Sequence, residues 1–247
     1  MKLVTTDAIV LRAYNLAEAD RIVLCLTRSS GLVRAVAKGA RRMKSRFGAA
    51  LEPFTLIKLS FHEKEHRELV TVSSAEILKS YFSIAARVEA VELLAYMSEM
   101  VNEFAPPHEA DEKLFRMLAA CIDALSLSEG SERLMIRYFE VWLLRLAGLF
   151  PDLNACEGCG VALEGGQSAS LDSHSQAYCQ DCHPGGLSLL SPGVLNAVHA
   201  TQRLSPAQFV EREPLSPRDD SQLGDLTHRL ITHAIERRPR TLVTSAR

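Results

Sequence analysis

The chain has 247 residues, of which 47% are hydrophobic and 23% charged. That balance belongs to an ordinary globular protein with room for two small domains, and it excludes a collagen-like or globally disordered chain. The net charge of −2 hides an asymmetry: residues 1–80 hold 14 Lys and Arg against 8 Asp and Glu, whereas residues 81–247 hold 14 against 22. A basic module joined to an acidic one suggests a surface for a polyanion. No apolar run approaches the ~18 residues of a membrane span. The opening residues reach Asp7 before any apolar core of signal-peptide length, so a cytoplasmic protein is expected.

In chain order, residues 6–75 read as β-structure. Thr6–Arg12, Arg21–Thr27, Gly31–Ala37, Phe54–Phe61 and Glu68–Val72 are short, rich in β-branched residues and bounded by polar loops. Five such strands in about 70 residues point to a small closed or partly open barrel. From Ser74 the apolar spacing becomes three and four residues, predicting helices over Ala75–Phe82, Val88–Phe104, Asp111–Leu125 and Glu132–Phe150, with Ser131 as an N-cap. The last of these is apolar almost all round, as a helix in the middle of a bundle is. Residues 151–186 form a loop-rich insert. Ser191-Pro192-Gly193 opens a helix to about Ala200, residues 205–218 read as a surface connection, and Leu223–Ile235 is a final amphipathic helix. The expected organisation is α+β: a β-barrel over 1–79, then a helical domain over 80–247 carrying the insert.

Of six cysteines, Cys25 and Cys121 stand alone in apolar settings, and Cys156/Cys159 and Cys179/Cys182 form two C-x2-C pairs. Two intervening residues let both thiolates of a pair reach one metal from a tight turn. Four thiolates then fill a tetrahedral zinc shell with no open position, so the site is structural rather than hydrolytic. An iron–sulfur cluster is the rival metal. His174 and His183 are alternative ligands should one cysteine be misplaced.

Lys38, Arg41, Arg42, Lys44 and Arg46 fall within nine residues, with no acid among them, in a loop between predicted strands. Long cations so placed can follow phosphates without a fixed base register. A merely solvated loop is the alternative reading. Among nearby aromatic residues, Phe54 and Phe61 read as barrel core and Phe47 as the exposed one, available with Tyr14 for stacking on bases. The phosphate-binding GxxxxGK[ST] loop, HExxH, GxSxG and dinucleotide-binding glycine patterns are absent, and no enzymatic activity is expected.

These residues resemble a known family, the bacterial RecO recombination and DNA-repair proteins. The resemblance rests on Tyr14-x3-Glu18-x-Asp20-Arg21, Leu26-Thr27, Gly31, Ala37-Lys38-Gly39-Ala40-Arg41-Arg42-x-Lys44-Ser45, Leu51-Glu52-Pro53-Phe54 and Ala75-Glu76. It continues through Leu146-Ala147-Gly148-Leu149-x-Pro151-x-Leu153, both cysteine pairs and Leu187-Ser188-x2-Ser191-Pro192. It implies an N-terminal OB-fold, a helical domain with a zinc finger, and a nucleoid-associated protein that binds single- and double-stranded DNA. It further implies annealing of complementary strands without ATP. The implied partners are RecR and the C-terminal tail of the single-stranded-DNA-binding protein, with loading of the recombinase RecA as the outcome. By position, Lys38, Arg41, Arg42, Lys44 and Arg46 become DNA contacts, with Arg34 on the preceding strand secondary. Arg133 and Arg137, a turn apart on the presumed polar side of the central helix, are candidates for the acidic tail. Arg237, Arg238 and Arg240 extend the basic surface, and Arg240-Thr241-Leu242-Val243-Thr244 approximates the family's R-x-L-x-S ending.

The competing expectation is a zinc-dependent nucleic-acid-processing enzyme. His66-Arg67-Glu68 matches half of the zinc deaminase signature, but it lies far upstream of the cysteines. Neither cysteine pair follows a proline as that signature requires.

Overall fold

The computed structural model describes residues 2–16, 18–63, 69–106, 109–164, 166–182, 189–212 and 215–241. Five strands come first: β1 (Lys2–Leu16), β2 (Asp20–Thr27), β3 (Gly31–Ala37), β4 (Leu56–Glu63) and β5 (Leu69–Lys79). They hydrogen-bond in the order β1-β2-β3-β5-β4, and β4 pairs back onto β1 to close a barrel. Every pairing is antiparallel except β3 with β5.

β1 and β2 lack clean alternation because both of their faces are covered. Ala8, Val10, Val23 and Cys25 point into the barrel, where they meet Val33, Ala35, Ala37, Ile57, Leu59 and Phe61. Ile9, Leu11, Leu24 and Leu26 lie outside that cluster and are nonetheless buried. Helix α1 (Val88–Phe104) lies over this outer face, where Ser98 donates its hydroxyl to the Leu11 carbonyl at 3.2 Å. Each such side chain contributes about 1.5–3 kcal/mol by leaving water. They couple the barrel to the helices, and the compact unit therefore runs past β5, through α1 and α2 (Glu112–Leu127), to Ser126. It also takes in residues 239–241.

The helix expected over Ala75–Phe82 does not form. Residues to Lys79 extend β5 along β4, pairing Ala75 with Leu59 and Ile77 with Ile57, and Phe82–Ala86 makes a 3-10 turn. Ile77, Leu78 and Phe82 are exposed, so their spacing had imitated a helical face without covering a core.

The second unit runs from Leu127 to Arg238. It holds α3 (Glu132–Leu146), α4 (Pro192–Arg203), α5 (Pro206–Arg212) and α6 (Pro217–Ile235), with a small sheet of β6 (Ala169–Leu171), β7 (Ala177–Tyr178) and β8 (Leu189–Leu190). α4 and α6 start alike: Ser191 and Ser216 accept the N–H groups of Val194 and Asp219, and proline takes the first helical position. Ser131 stands at the start of α3, yet its hydroxyl donates to the Ser128 carbonyl instead of capping. The stretch 205–218, expected as a plain connection, contains α5, whose Phe209 is fully buried. Among the described residues no helix is long and apolar enough to cross a membrane.

Candidate nucleic-acid surface and metal centre

The basic turn follows β3 directly. Lys38, Arg41, Arg42, Lys44 and Arg46 are all exposed, as is Arg34 on the strand before them. The turn is pinned at both ends. Asp20 accepts the Gly39 N–H at 2.8 Å, the Ala19 carbonyl accepts that of Arg41 at 2.9 Å, and the Arg42 carbonyl accepts that of Ser45 at 2.9 Å. Phe47, expected to be exposed, is instead buried in the barrel cluster, where it anchors the turn's exit. Arg46 lies over its ring at 4.9 Å. Phe61 is core as expected, Phe54 is half-buried, and Tyr14 is exposed. Sequence reasoning did not assign a role to Asp20, Arg21 or Glu52. Asp20 holds the basic turn, and Arg21 pairs with Glu52 at 2.9 Å beside it.

The metal-type centre is built by two knuckles. In the first, the Val161 carbonyl accepts the Cys156 N–H and the Cys156 carbonyl accepts that of Gly160, each at 2.8 Å, next to a bridge between Ala155 and Ala162. The second follows β7 and carries Cys179 and Cys182. Gly158 lets them meet, because a Cβ there would stand 3.1 Å from that of Cys182. The four Sγ atoms all lie within 4.8 Å of one another, and Cys159 and Cys179 are 3.8 Å apart. A regular tetrahedron with Zn–S bonds of about 2.3 Å has S···S edges of about 3.8 Å. The donor set and its spacing therefore fit a closed tetrahedral shell. Backbone N–H groups of Cys179, Cys159 and Gly158 aim at the Cys156 sulfur and lower its pKa to about 6. Hydrogen bonds with the Cys159 and Cys179 thiols push Cys182 up to about 12, with burial adding to the effect.

His174 is exposed at the turn after β6 and is not part of this cluster. His183 and the segment His66-Arg67-Glu68 fall outside the described residues. Cys25 and Cys121 are buried, Cys121 with its thiol 3.8 Å from the Met117 sulfur, and desolvation raises both thiols, Cys25 to about 12.

Arg133 and Arg137 do not share a polar face. Arg133 is half-exposed and donates to Asp220 at 2.6 Å. Arg137 is buried, bonded to Glu140 at 2.9 Å and to Asp220 at 3.0 Å. Its expected place on solvated helix surface is corrected by α6, which covers that side of α3. Gly224 of α6 makes the approach possible, since a Cβ there would stand 2.5 Å from the guanidinium. Of the terminal arginines, Arg240 donates its backbone N–H to Glu99 at 2.9 Å.

The fold and site together define a small basic β-barrel module with helices and a separate four-thiolate metal-type centre. Comparison with known proteins gives that class a family. Residues 1–81 match the family model described as Recombination protein O N terminal, and residues 88–242 match Recombination protein O C terminal. Similar curated proteins are each named DNA repair protein RecO. That of Anaeromyxobacter sp. (strain K) is 32% identical over 96% of this chain and 94% of its own length. That of Geobacter metallireducens is 33% identical over 91% of both. That of Bifidobacterium longum is 36% identical over 82% of this chain and 84% of its own. The chain belongs to the RecO family.

Proposed function

We propose that the chain is a DNA-repair and recombination mediator that works without catalysis. It binds single- and double-stranded DNA, anneals complementary strands without ATP and helps load RecA onto strands coated by the single-stranded-DNA-binding protein. One observation carries this reading: six exposed cations, Arg34 and those of the 38–46 turn, gather on a pinned segment of the barrel. Two phosphate backbones repel one another, and a bound basic surface lowers that repulsion while bases find register. The strand order with parallel closure of β3 on β5 supports an OB-fold for residues 1–79, a module that often holds oligonucleotides on its strands.

The helical part, residues 80–247, is proposed to engage RecR and the acidic tail of the coat protein. Of the two arginines considered for that tail, Arg137 is buried, and Arg133 is half-exposed and paired with Asp220. The cysteine cluster is proposed to hold one zinc ion that folds the 151–186 insert, a segment with little core of its own. A shell closed by four thiolates leaves no position for a metal-bound water, which weighs against the zinc-enzyme alternative.

The test is the annealing rate of two complementary oligonucleotides coated with single-stranded-DNA-binding protein, without ATP. Wild type is expected to accelerate it, and the variant with Lys38, Arg41 and Arg42 all changed to Ala is expected not to. With five phosphate contacts, single-strand affinity should fall with a log–log salt slope of roughly −3.5. Zinc bound and the protein folded, but no acceleration by wild type, refutes the mediator reading.

A further inference from the structure

A groove of about 400 Å³ opens on the outer face of the barrel. Strand register explains its composition. Arg12 of β1 stands opposite Leu24 of β2, Leu24 opposite Arg34 of β3, and Arg34 beside Leu69 of β5. The neighbouring row places Tyr14 opposite Ile22. Leu24, Ile22 and Leu69 form an apolar floor, Arg12 and Arg34 stand on either side, and Tyr14 supplies an aromatic ring that is 50% exposed. Asn102 of α1 closes one wall.

The two cations are not equivalent. The Arg12 Nε is oriented by the Ser98 hydroxyl at 3.3 Å, which fixes its guanidinium at the edge of the floor. Arg34 is exposed, and among the described residues no carboxylate is paired with it. β3 then carries the face onward: Arg34 and Val36 alternate outward while Ala35 and Ala37 face the barrel core, and the exposed Lys38 follows the strand directly. Lys38, four residues beyond Arg34, opens the basic turn where the strand ends. The groove is therefore the apolar end of a cationic track that continues into the 38–46 turn.

We propose that this groove takes one unstacked nucleotide of a single strand, with its base against Tyr14 and the apolar floor and its flanking phosphates on Arg34 and Arg12. The proposal rests on the nucleic-acid reading above and adds a means of telling strand types apart. The turn's cations reach the phosphates of any strand, whereas the floor is reached only by a base free of its pair and its stack. Continuity of the cationic track favours a polynucleotide over an acidic peptide as the occupant.

The experiment uses the full chain and compares Tyr14→Ala and Tyr14→Phe with wild type for binding to an unstructured oligothymidylate and to a duplex of the same length. Tyr14 is half exposed, so neither change removes core. Losing one base–aromatic stack should lower single-strand affinity by about 5- to 100-fold. Duplex affinity should stay within about twofold, and Tyr14→Phe, which keeps the ring, should bind as wild type does. Equal losses on both substrates would make Tyr14 part of a general backbone surface and overturn base capture. No loss on either, while the Lys38/Arg41/Arg42 variant loses both, overturns the groove and leaves the DNA reading standing. Tyr14-dependent binding of an acidic peptide that oligothymidylate does not displace would assign the groove to a protein partner and overturn the proposal. Failure of wild type to bind either nucleic acid ends both readings.

Discussion

Changing Arg137 to Met tests whether the α3–α6 contact is held by a buried charge network. Arg137, Glu140 and Asp220 are each almost fully buried, and the half-exposed Arg133 completes the balance through Asp220. Thr227 adds a hydroxyl donor to Glu140 at 2.7 Å. Methionine matches the arginine stem but leaves Glu140 and Asp220 without the cation that both face. Removing one member of a buried pair costs about 3–5 kcal/mol. Arg133→Ala removes a solvent-screened partner of the same Asp220 and should cost under about 1 kcal/mol. The sole tryptophan, Trp142, lies on α3 with its indole N–H donated to the Thr201 carbonyl at 2.7 Å, so its fluorescence reports this unit. In urea, with a slope of about 2 kcal/mol per molar, the Arg137→Met midpoint should fall by roughly 2 M. The Arg133→Ala midpoint should move by less than about 0.5 M. Equal shifts for the two variants would refute the reasoning. So would an Arg137→Met protein as stable as wild type, because a buried cation bridging two buried carboxylates is what sets Arg137 apart from Arg133 one turn away.

Three further outcomes follow from the same geometry. A chelator should release one equivalent of zinc and expose four thiols to a colorimetric reagent, while Cys25 and Cys121 react only after unfolding; six thiols reacting together would contradict their burial. Asp20→Ala should destabilise the basic turn by about 1.5 kcal/mol, the worth of a hydrogen bond to a charged group. Single-strand affinity should then drop even though the surface gains positive charge; tighter binding would mean that charge alone matters and the pinned shape does not. Asp219 accepts the hydroxyls of Ser191 and Ser216, in that order of effect, and its pKa is lowered. A depressed folded pKa adds stability that is present above the unfolded carboxylate value and is lost as pH falls through the folded one. Asp219→Asn should therefore flatten the acid limb of the stability profile.

Much of the site was legible because its signals are local. A C-x2-C spacing fixes what two thiolates can reach, and a run of five cations without acids is exposed wherever it falls. The same residues showed a barrel of five strands, since β2 and β3 are bounded by turns that end them. What stayed hidden depends on partners distant in sequence. Arg137 looks like its neighbour Arg133 because α3 is apolar almost all round; the face that α6 covers is marked by partners such as Asp220, 83 residues on. Phe47 reads as exposed in the sequence, but the chain turns inward at that point and its ring enters the barrel cluster. The outer-face residues Ile9, Leu11, Leu24 and Leu26 read as ordinary strand content. Their burial beneath α1 and its neighbours extends the compact unit beyond residue 79. The groove is invisible for a related reason: Arg12, Leu24, Arg34 and Leu69 become a row only once four strands are in register.

The return of the chain's end to the first unit depends on one buried carboxylate. Glu99 sits on α1, is buried, and accepts the Arg240 N–H on Oε1 and the Thr241 N–H on Oε2 at 2.7 Å, with the Thr241 hydroxyl also on Oε2. A carboxylate can serve donors on both oxygens; an amide cannot. Glu99→Gln turns one of those positions into an NH₂ group that faces a backbone N–H, donor against donor, whichever way the amide is flipped. Each hydrogen bond to a charged group contributes about 1.5–3 kcal/mol, and at least one is lost outright. Pro239, Arg240 and Thr241 form no regular element, so no helix or strand ladder protects their amides. Amide exchange at Arg240 and Thr241 should accordingly speed up by about 10- to 100-fold in Glu99→Gln, the factor that 1.5–3 kcal/mol corresponds to. The barrel amides of β1–β5 should keep their protection, since their hydrogen bonds run along the strand ladders. Unchanged exchange at both positions would show that the tail is held by other contacts; loss of protection across the barrel would show instead that Glu99 supports α1 and only indirectly the tail.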